Sequence, residues 1–303
     1  MKKQGGVRQP ACRLPMALSV VLVLGACGGG GSDAPSGSAS EPSVSSSTAG
    51  TPKYSQALKL TLTGTNLDHG LAVSATGCDS AARDIAASSA TTAIYQCTVT
   101  ATGTGQWVVA RTSDSATLAT VPFTVPVPQV TLTVSNGAAV GGTLVVTLSP
   151  DKTPVTVNNF LAYVNAGFYN GTVFHRVSPG FVVQAGGYST PLDATSQVLK
   201  TTSAPIPLEV GKGLSNRQWT IAMARASDPA SATSQFFINL VDNSASLDPG
   251  LSAGYAVFGS VSSGMGNVAG IAGAPCVALP LFLPSGECTP TPNVVISSAI
   301  QTQ

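Results

Sequence analysis

The chain has 303 residues, a net charge of +1, 43% apolar residues and only 9% charged residues, against roughly 25% charged in an ordinary soluble domain. Lys2, Lys3, Arg8 and Arg13 all precede residue 14, which leaves 10 of the 14 basic residues against 13 acids beyond it. No basic block remains to neutralise a phosphate backbone, so nucleic-acid binding is excluded. With 32 glycines and 21 prolines, the expectation is a mostly β protein of short strands and turns.

Residues 1–13 are cationic, Leu14 to Leu24 is mostly apolar, and LGAC (Leu24 to Cys27) precedes GGGGS. That order describes an export signal, and the apolar run is shorter than the roughly 20 residues a bilayer span takes. LGAC resembles the bacterial lipobox. It implies a lipoprotein signal peptide over 1–27, acylation of Cys27 and a membrane anchor through that lipid. Gly28 carries no strong retention signal, which favours the outer membrane. Ordinary signal cleavage is the alternative. Residues 28–53 are Gly, Ser, Ala and Pro with almost no large apolar residue; such a segment buries too little to fold and reads as a flexible linker.

Cys12 and Cys27 fall in this leader, and the other four cysteines form two local pairs. An oxidising compartment favours disulfides Cys78–Cys97 and Cys276–Cys288, with free thiols as the alternative. Neither pair has metal-ligand spacing or a nearby histidine, so no metal is expected.

Between 54 and 127, short runs alternate apolar and polar residues: LKLTLTG (Leu58 to Gly64), AIYQCTVTA (Ala93 to Ala101), QWVVAR (Gln106 to Arg111) and VPFTV (Val121 to Val125). They predict half-buried strands of a small β-sandwich, loosely similar to bacterial immunoglobulin-like domains. His69, between Asp68 and Gly70, is read as a solvated loop histidine and Trp107 as core. A spacer and a partner-binding module are both open.

From 128 to 303 the pattern changes. Gln129 to Pro150 gives two strands. Thr153 is a plausible N-cap, with Pro154 at the first helical position. Val157, Phe160, Leu161 and Val164 then place one apolar face on a helix, and Gly167 ends it. Next comes FYNGTVFHRVSPGFVVQAGG (Phe168 to Gly187), followed by TIAMARASDPASATSQFFINL (Thr220 to Leu240) and GYAVFGSVSSGM (Gly254 to Met265). In this order and spacing the three segments resemble the cyclophilin-type peptidyl-prolyl cis-trans isomerases, in the style of the bacterial periplasmic branch. The resemblance implies an eight-stranded antiparallel β-barrel with capping helices. The usual second helix, near Gly264 to Ile271, is Gly-rich here and is expected to be short or irregular.

Taken unaided, these residues offer little covalent chemistry. His175 is the one histidine beyond 128, the seven acids there are scattered, and metal ligands are lacking, so a nucleophile with a positioned base is not on offer. What is left is an arginine, several amides and an apolar set, which suits rotation about X–Pro. That reaction forms no bond to the enzyme and needs no cofactor. By the family motif, FHRV (Phe174 to Val177) supplies Arg176 as guanidinium donor. Phe181, Val182, Phe237 and Leu247 would line a proline pocket, where relatives often carry Met in place of Val182. Gln184 would bond the substrate backbone and orient Arg176. The backbone at Ala224 and Arg225 would hold the residue before proline, and His175, Gln235 and Tyr255 would complete the rim. Ser246 stands where relatives often carry Trp or Phe, so weak inhibition by cyclosporin is expected.

The plain alternatives are an Arg176 merely paired with an acid, phenylalanines that are only core, and a structural His175. The expected partners are proline-containing unfolded or partly folded polypeptides and, through Cys27, a membrane; the chain is expected to act as a monomer. The competing function is a catalytically weak proline-binding or surface interaction module.

Overall fold

The computed structural model describes residues 40–250, 252–279 and 283–303. The expected signal peptide, Cys12, Cys27 and the linker as far as residue 39 lie outside the described residues.

Seven strands come first: β1 (Ser43–Ala49), β2 (Ala57–Thr65), β3 (Leu71–Ala75), β4 (Ala82–Arg83), β5 (Thr92–Thr98), β6 (Gly103–Arg111) and β7 (Thr117–Val125). They form two sheets, ordered β1-β2-β5-β4 and β3-β6-β7. The period-two pattern explains the layering: Leu58, Leu60 and Leu62 of β2 are buried and share a core with Trp107 and Val109 of β6 and Phe123 and Val125 of β7. The Cys78–Cys97 disulfide joins the segment after β3 to β5, and therefore one sheet to the other. His69 is solvated and bonds Asp68.

The expected linker is corrected from residue 43 on. Ser43–Ala49 is an edge strand laid along β2. Its composition buries almost nothing, but the backbone ladder and hydroxyl pairs such as Ser46 with Thr63 (2.6 Å) and Ser43 with Thr65 (2.9 Å) hold it in place.

The second part contains β8 (Gln129–Ser135), β9 (Gly141–Leu148), β10 (Thr172–Val173), β11 (Arg176–Ser178), β12 (Val182–Ala185), β13 (Thr220–Met223), β14 (Phe236–Asn239), β15 (Val257–Ser263), β16 (Cys276–Val277), β17 (Thr289–Pro290) and β18 (Val295–Gln301). The main sheet runs β10-β18-β8-β9-β15-β13-β14-β12-β11, antiparallel throughout. Its two ends, β10 and β11, are pieces of one run, residues 172–178. The first piece pairs with β18 and the second with β12. The sheet thus curls back on itself, and counting that run once gives eight strands.

Helix α1 (Pro154–Asn165) covers this barrel with Val157, Phe160, Leu161 and Val164 buried. The Phe160 ring meets Phe258 at 5.0 Å, Tyr169 at 5.3 Å and Phe236 at 5.7 Å. Thr153 occupies the N-cap position but makes no side-chain cap bond. Its hydroxyl turns back to the Ser149 carbonyl, and Glu209 caps the helix instead, accepting from the Thr156 N–H at 2.7 Å and the Val155 N–H at 3.3 Å. The carboxylate is also the better partner for the positive end of the helix dipole. Gly167 (φ +67°) ends the helix as expected. Its N–H donates to Val164 O, the Phe168 N–H reaches Tyr163 O, and the Tyr163 and Phe168 rings pack at 4.6 Å. Two shorter helices follow: α2 (Ser244–Leu247), a single turn, and α3 (Met265–Ala272), eight residues with Val268 and Ile271 buried.

The two parts meet at Gln301. Its amide donates to the Tyr54 carbonyl at 3.0 Å, and its Oε1 accepts from Gln56 at 2.8 Å and Asn165 at 3.3 Å. Lys53 Nζ donates to the Gln301 carbonyl at 3.0 Å.

Candidate functional site

Strand register assembles the site. Arg176 lies opposite Gln184, Gln184 opposite Phe237, and Phe237 opposite Ala222. Residues directly opposite share a face, so one row crosses β11, β12, β14 and β13. Val182, two residues before Gln184, joins it. The intervening residues Val177, Val183, Ile238 and Ile221 belong to the main core. Val182, Ala222, Phe237, Leu247 and Val257 form a separate small apolar cluster, against which Phe181, Leu214, Ala224 and Tyr255 pack.

This cluster floors a cavity of about 170 Å³ lined by Arg176, Phe181, Val182, Gln184, Ala224, Arg225, Phe237, Leu247 and Tyr255. Sites for drug-sized ligands run to roughly 300–1,000 Å³; this one has room for a single small apolar group. Phe237 and Tyr255 meet edge to face at 5.6 Å, and the Arg225 guanidinium lies 4.5 Å over the Tyr255 ring while its Nε donates to the Gly254 carbonyl. A second cavity of about 270 Å³ shares Gln184, Ala224 and Arg225 and adds Ser231, Thr233 and Gln235. The two share the wall made by Gln184, Ala224 and Arg225 and together make one groove.

Polar groups order the walls. Arg176 Nη1 donates to Gln184 Oε1 at 2.9 Å, and Gln184 Nε2 donates to Gln235 Oε1 at 2.9 Å. A Cβ on Gly187 would come within 2.7 Å of the Gln235 amide, so glycine there leaves Gln235 its place. Asn216, fully buried, donates to the Leu247 carbonyl at 3.2 Å and to Asp248 Oδ1 at 2.9 Å. Asn243 donates to the Phe181 carbonyl at 2.9 Å. These amides fix the end of α2 that carries Leu247 and the turn that carries Phe181. Burial pushes the Asp248 carboxyl up, but bonds from Ser215 and Asn216 outweigh it and hold the group below the usual range.

Most expected site residues come together at this groove, with two corrections. His175 does not reach it. The residue is 3% exposed, its ring packs at a tilt 5.0 Å from that of Tyr188, and burial lowers its pKa to about 4. It is therefore neutral at pH 7 and does not form part of the rim. Gln235 lines the second cavity and touches the first only through Gln184. The Ala224 N–H is taken up by the Gln235 carbonyl.

Glu287 was not anticipated. It accepts from Arg176 Nε at 2.5 Å and from Nη2, so the guanidinium faces the pocket while paired with an acid behind it. The plain alternative for Arg176 thus holds for one side of its fork. Of the five guanidinium N–H groups, three have these acceptors and no described residue accepts the other two. The Arg176 bonds hold the Glu287 carboxyl below its ordinary pKa despite burial. Nothing local in the sequence flags this acid, which lies 111 residues from its partner.

A family model described as cyclophilin type peptidyl-prolyl cis-trans isomerase/CLD matches residues 130–300. Peptidyl-prolyl cis-trans isomerase A of Dickeya dadantii is 53% identical over 125 residues, 41% of this chain and 63% of that protein, so the match spans just under two thirds of that relative. Peptidyl-prolyl cis-trans isomerase B of Escherichia coli is 46% identical over 135 residues, covering 44% and 79% of the two chains. A crystal structure of a Cryptosporidium parvum cyclophilin type isomerase aligns over 58% of this chain and 98% of its own, with TM-score 0.45 and 21% identity.

Proposed function

The chain belongs to the cyclophilin type peptidyl-prolyl cis-trans isomerase family, and from that premise we propose that it rotates X–Pro bonds in exported polypeptides, assisting their folding, with Arg176 as the catalytic group. The barrier to rotation is about 18–20 kcal/mol because amide resonance must be broken, and the unassisted process takes roughly tens to hundreds of seconds. A turnover on the order of 1000 per second would require lowering that barrier by about 5–7 kcal/mol.

No covalent step is needed. In the twisted state the prolyl nitrogen regains its lone pair, which neither planar form exposes. A guanidinium N–H aimed at that nitrogen binds the twisted form more strongly than the ground states, which is the condition for catalysis. Val182, Phe237 and Leu247 would grip the ring, and Phe181 and Tyr255 would close its sides. Gln184 would serve both Arg176 and the substrate backbone. The preceding residue would lie by Ala224 and Arg225, towards Gln235.

The observation that carries this reading is the Arg176–Gln184 bond at the mouth of a proline-sized apolar pocket. The test is exchange NMR on a short Ala-Pro peptide. Wild type should accelerate exchange and Arg176→Ala should abolish the acceleration; a wild type without effect, or an unimpaired variant, ends the enzymatic reading. A second reading, a proline-binding module with little turnover, draws on the carboxylate already engaging the Arg176 fork. Peptide binding without accelerated exchange would favour it.

The same proposal places the protein outside the cytoplasm, tethered through acylated Cys27. Two disulfides support export, since such bonds persist in oxidising compartments. Mass spectrometry of the mature N-terminus tests the anchor, and an unmodified N-terminus elsewhere refutes it. The sandwich over 54–127 would then act as a spacer or a partner-binding module between anchor and barrel.

A further inference from the structure

We infer that Glu287 is a positioning residue for Arg176, seated by the pairing of Cys288 and Thr289 with the residues on either side of Arg176; the inference rests on Arg176 being the catalytic donor. A bidentate carboxylate fixes the plane of a guanidinium, and the Nη1 bond to Gln184 gives a third point of attachment. Without Glu287 the group keeps one bond, about which it can swivel.

The two residues after Glu287 are bonded to the two neighbours of Arg176. The next residue, Cys288, exchanges both backbone bonds with Val177, at 2.8 and 3.1 Å. Thr289 donates its hydroxyl to the His175 carbonyl at 2.7 Å. Val177 and His175 flank Arg176, so the register that seats residues 287–289 also sets the height of the carboxylate against the guanidinium. The disulfide ties Cys288 to Cys276 at a separation of 12 residues, and β16 pairs with β17 just beyond it. The side chains are 23% exposed for Arg176 and 10% for Glu287. The pair is thus partly screened from water, and Arg176 lines the pocket with its guanidinium held at three points.

The consequence is preorganisation. A donor already aimed costs no reorganisation when the nitrogen lone pair develops, and a misplacement of about 1 Å can cost on the order of 100-fold. The opposing effect is that a carboxylate partly neutralises the guanidinium and makes it a weaker donor. Which effect wins decides the sign of the mutational result.

The experiment measures kcat and KM on an Ala-Pro peptide for the full chain and for Glu287→Ala, Glu287→Gln, Glu287→Asp, the double variant Cys276→Ser/Cys288→Ser, and Arg176→Ala. Glu287→Ala should lower kcat by about tenfold or more with KM within about twofold, because orientation is lost and the apolar pocket is not. Glu287→Asp should recover part of the rate, and the double cysteine variant should show the same kcat-weighted loss. The Arg176 Nε proton should be slow to exchange with water in wild type and fast in Glu287→Ala. An unchanged or raised kcat in Glu287→Ala overturns the inference. Should that variant fail to fold, the near-isosteric Glu287→Gln decides: a wild-type rate there is equally fatal. If Arg176→Ala also retains full activity, it is the catalytic assignment that has failed instead.

Discussion

Replacing Arg176 by lysine separates charge from geometry. Arg176→Lys keeps a cation beside Glu287, so the carboxylate is not left buried and alone, a situation that would cost roughly 3–5 kcal/mol. The fold should therefore survive with little loss. What lysine cannot do is span Glu287 on one side and Gln184 on the other and still present a fixed N–H to the pocket, because an ammonium is a point charge on a flexible stem. Losing one preorganised donor costs about 10²–10³ in kcat, or about 2.7–4 kcal/mol of transition-state stabilisation. The apolar walls from Val182, Phe237 and Leu247 are untouched, so KM should move little. Exchange NMR at saturating Ala-Pro peptide gives kcat, and thermal unfolding checks the fold. A lysine variant within about threefold of wild type, with Tm unchanged, would falsify the claim that an oriented guanidinium does the catalysis.

Other outcomes follow from the same contacts. His175 is held neutral, with its pKa lowered to about 4 by burial, so the unfolded chain takes up a proton that the native state refuses between pH 6.5 and 4. Stability should fall across that window by up to about 3 kcal/mol, and denaturant titrations of His175→Gln should show the slope flattened; an identical pH profile would remove the assignment. The Cys78–Cys97 bond closes a separation of 19 residues and should contribute about 3 kcal/mol; a Cys78→Ser/Cys97→Ser variant that unfolds at the wild-type denaturant midpoint contradicts this. By the family resemblance, Ser246, exposed beside Leu247, takes the place of an aromatic, and weak inhibition by cyclosporin is the expected outcome. Ser246→Trp should tighten inhibition, and equal inhibition of the two forms would count against that alignment.

How far the sequence could be read depended on how local each signal was. Arg176, Gln184 and Phe237 sit in short segments whose spacing carries the family resemblance, and strand period two keeps them on one face. The α1 stripe and the Gly167 stop were likewise written within a few residues. Glu209 and Glu287 were not, because each acts on a group 53 or 111 residues away and neither has a neighbour that marks it. Residues 43–49 misled for another reason. Composition measures burial, whereas β1 is held by backbone bonds and hydroxyl pairs that a Ser- and Thr-rich segment makes as well as any other. His175 precedes Arg176 in the sequence but is buried just ahead of β11 rather than lining the pocket.

The curled sheet also imposes an order on the protein's own birth. β18 lies between β8 and β10, and its Gln301 stands opposite Val130. Every other strand of the barrel is made before the one that joins its two edges. During synthesis the sandwich can complete its sheets early, while β8 waits with an open edge for a partner some 170 residues downstream, a pairing of the long-range kind that slows folding. When that last strand arrives, Gln301 also seats the barrel on Tyr54 and Gln56. The finished sandwich thus offers a template onto which the final segment can dock, and a protein proposed to help other chains fold would carry its own assembly guide at its front end.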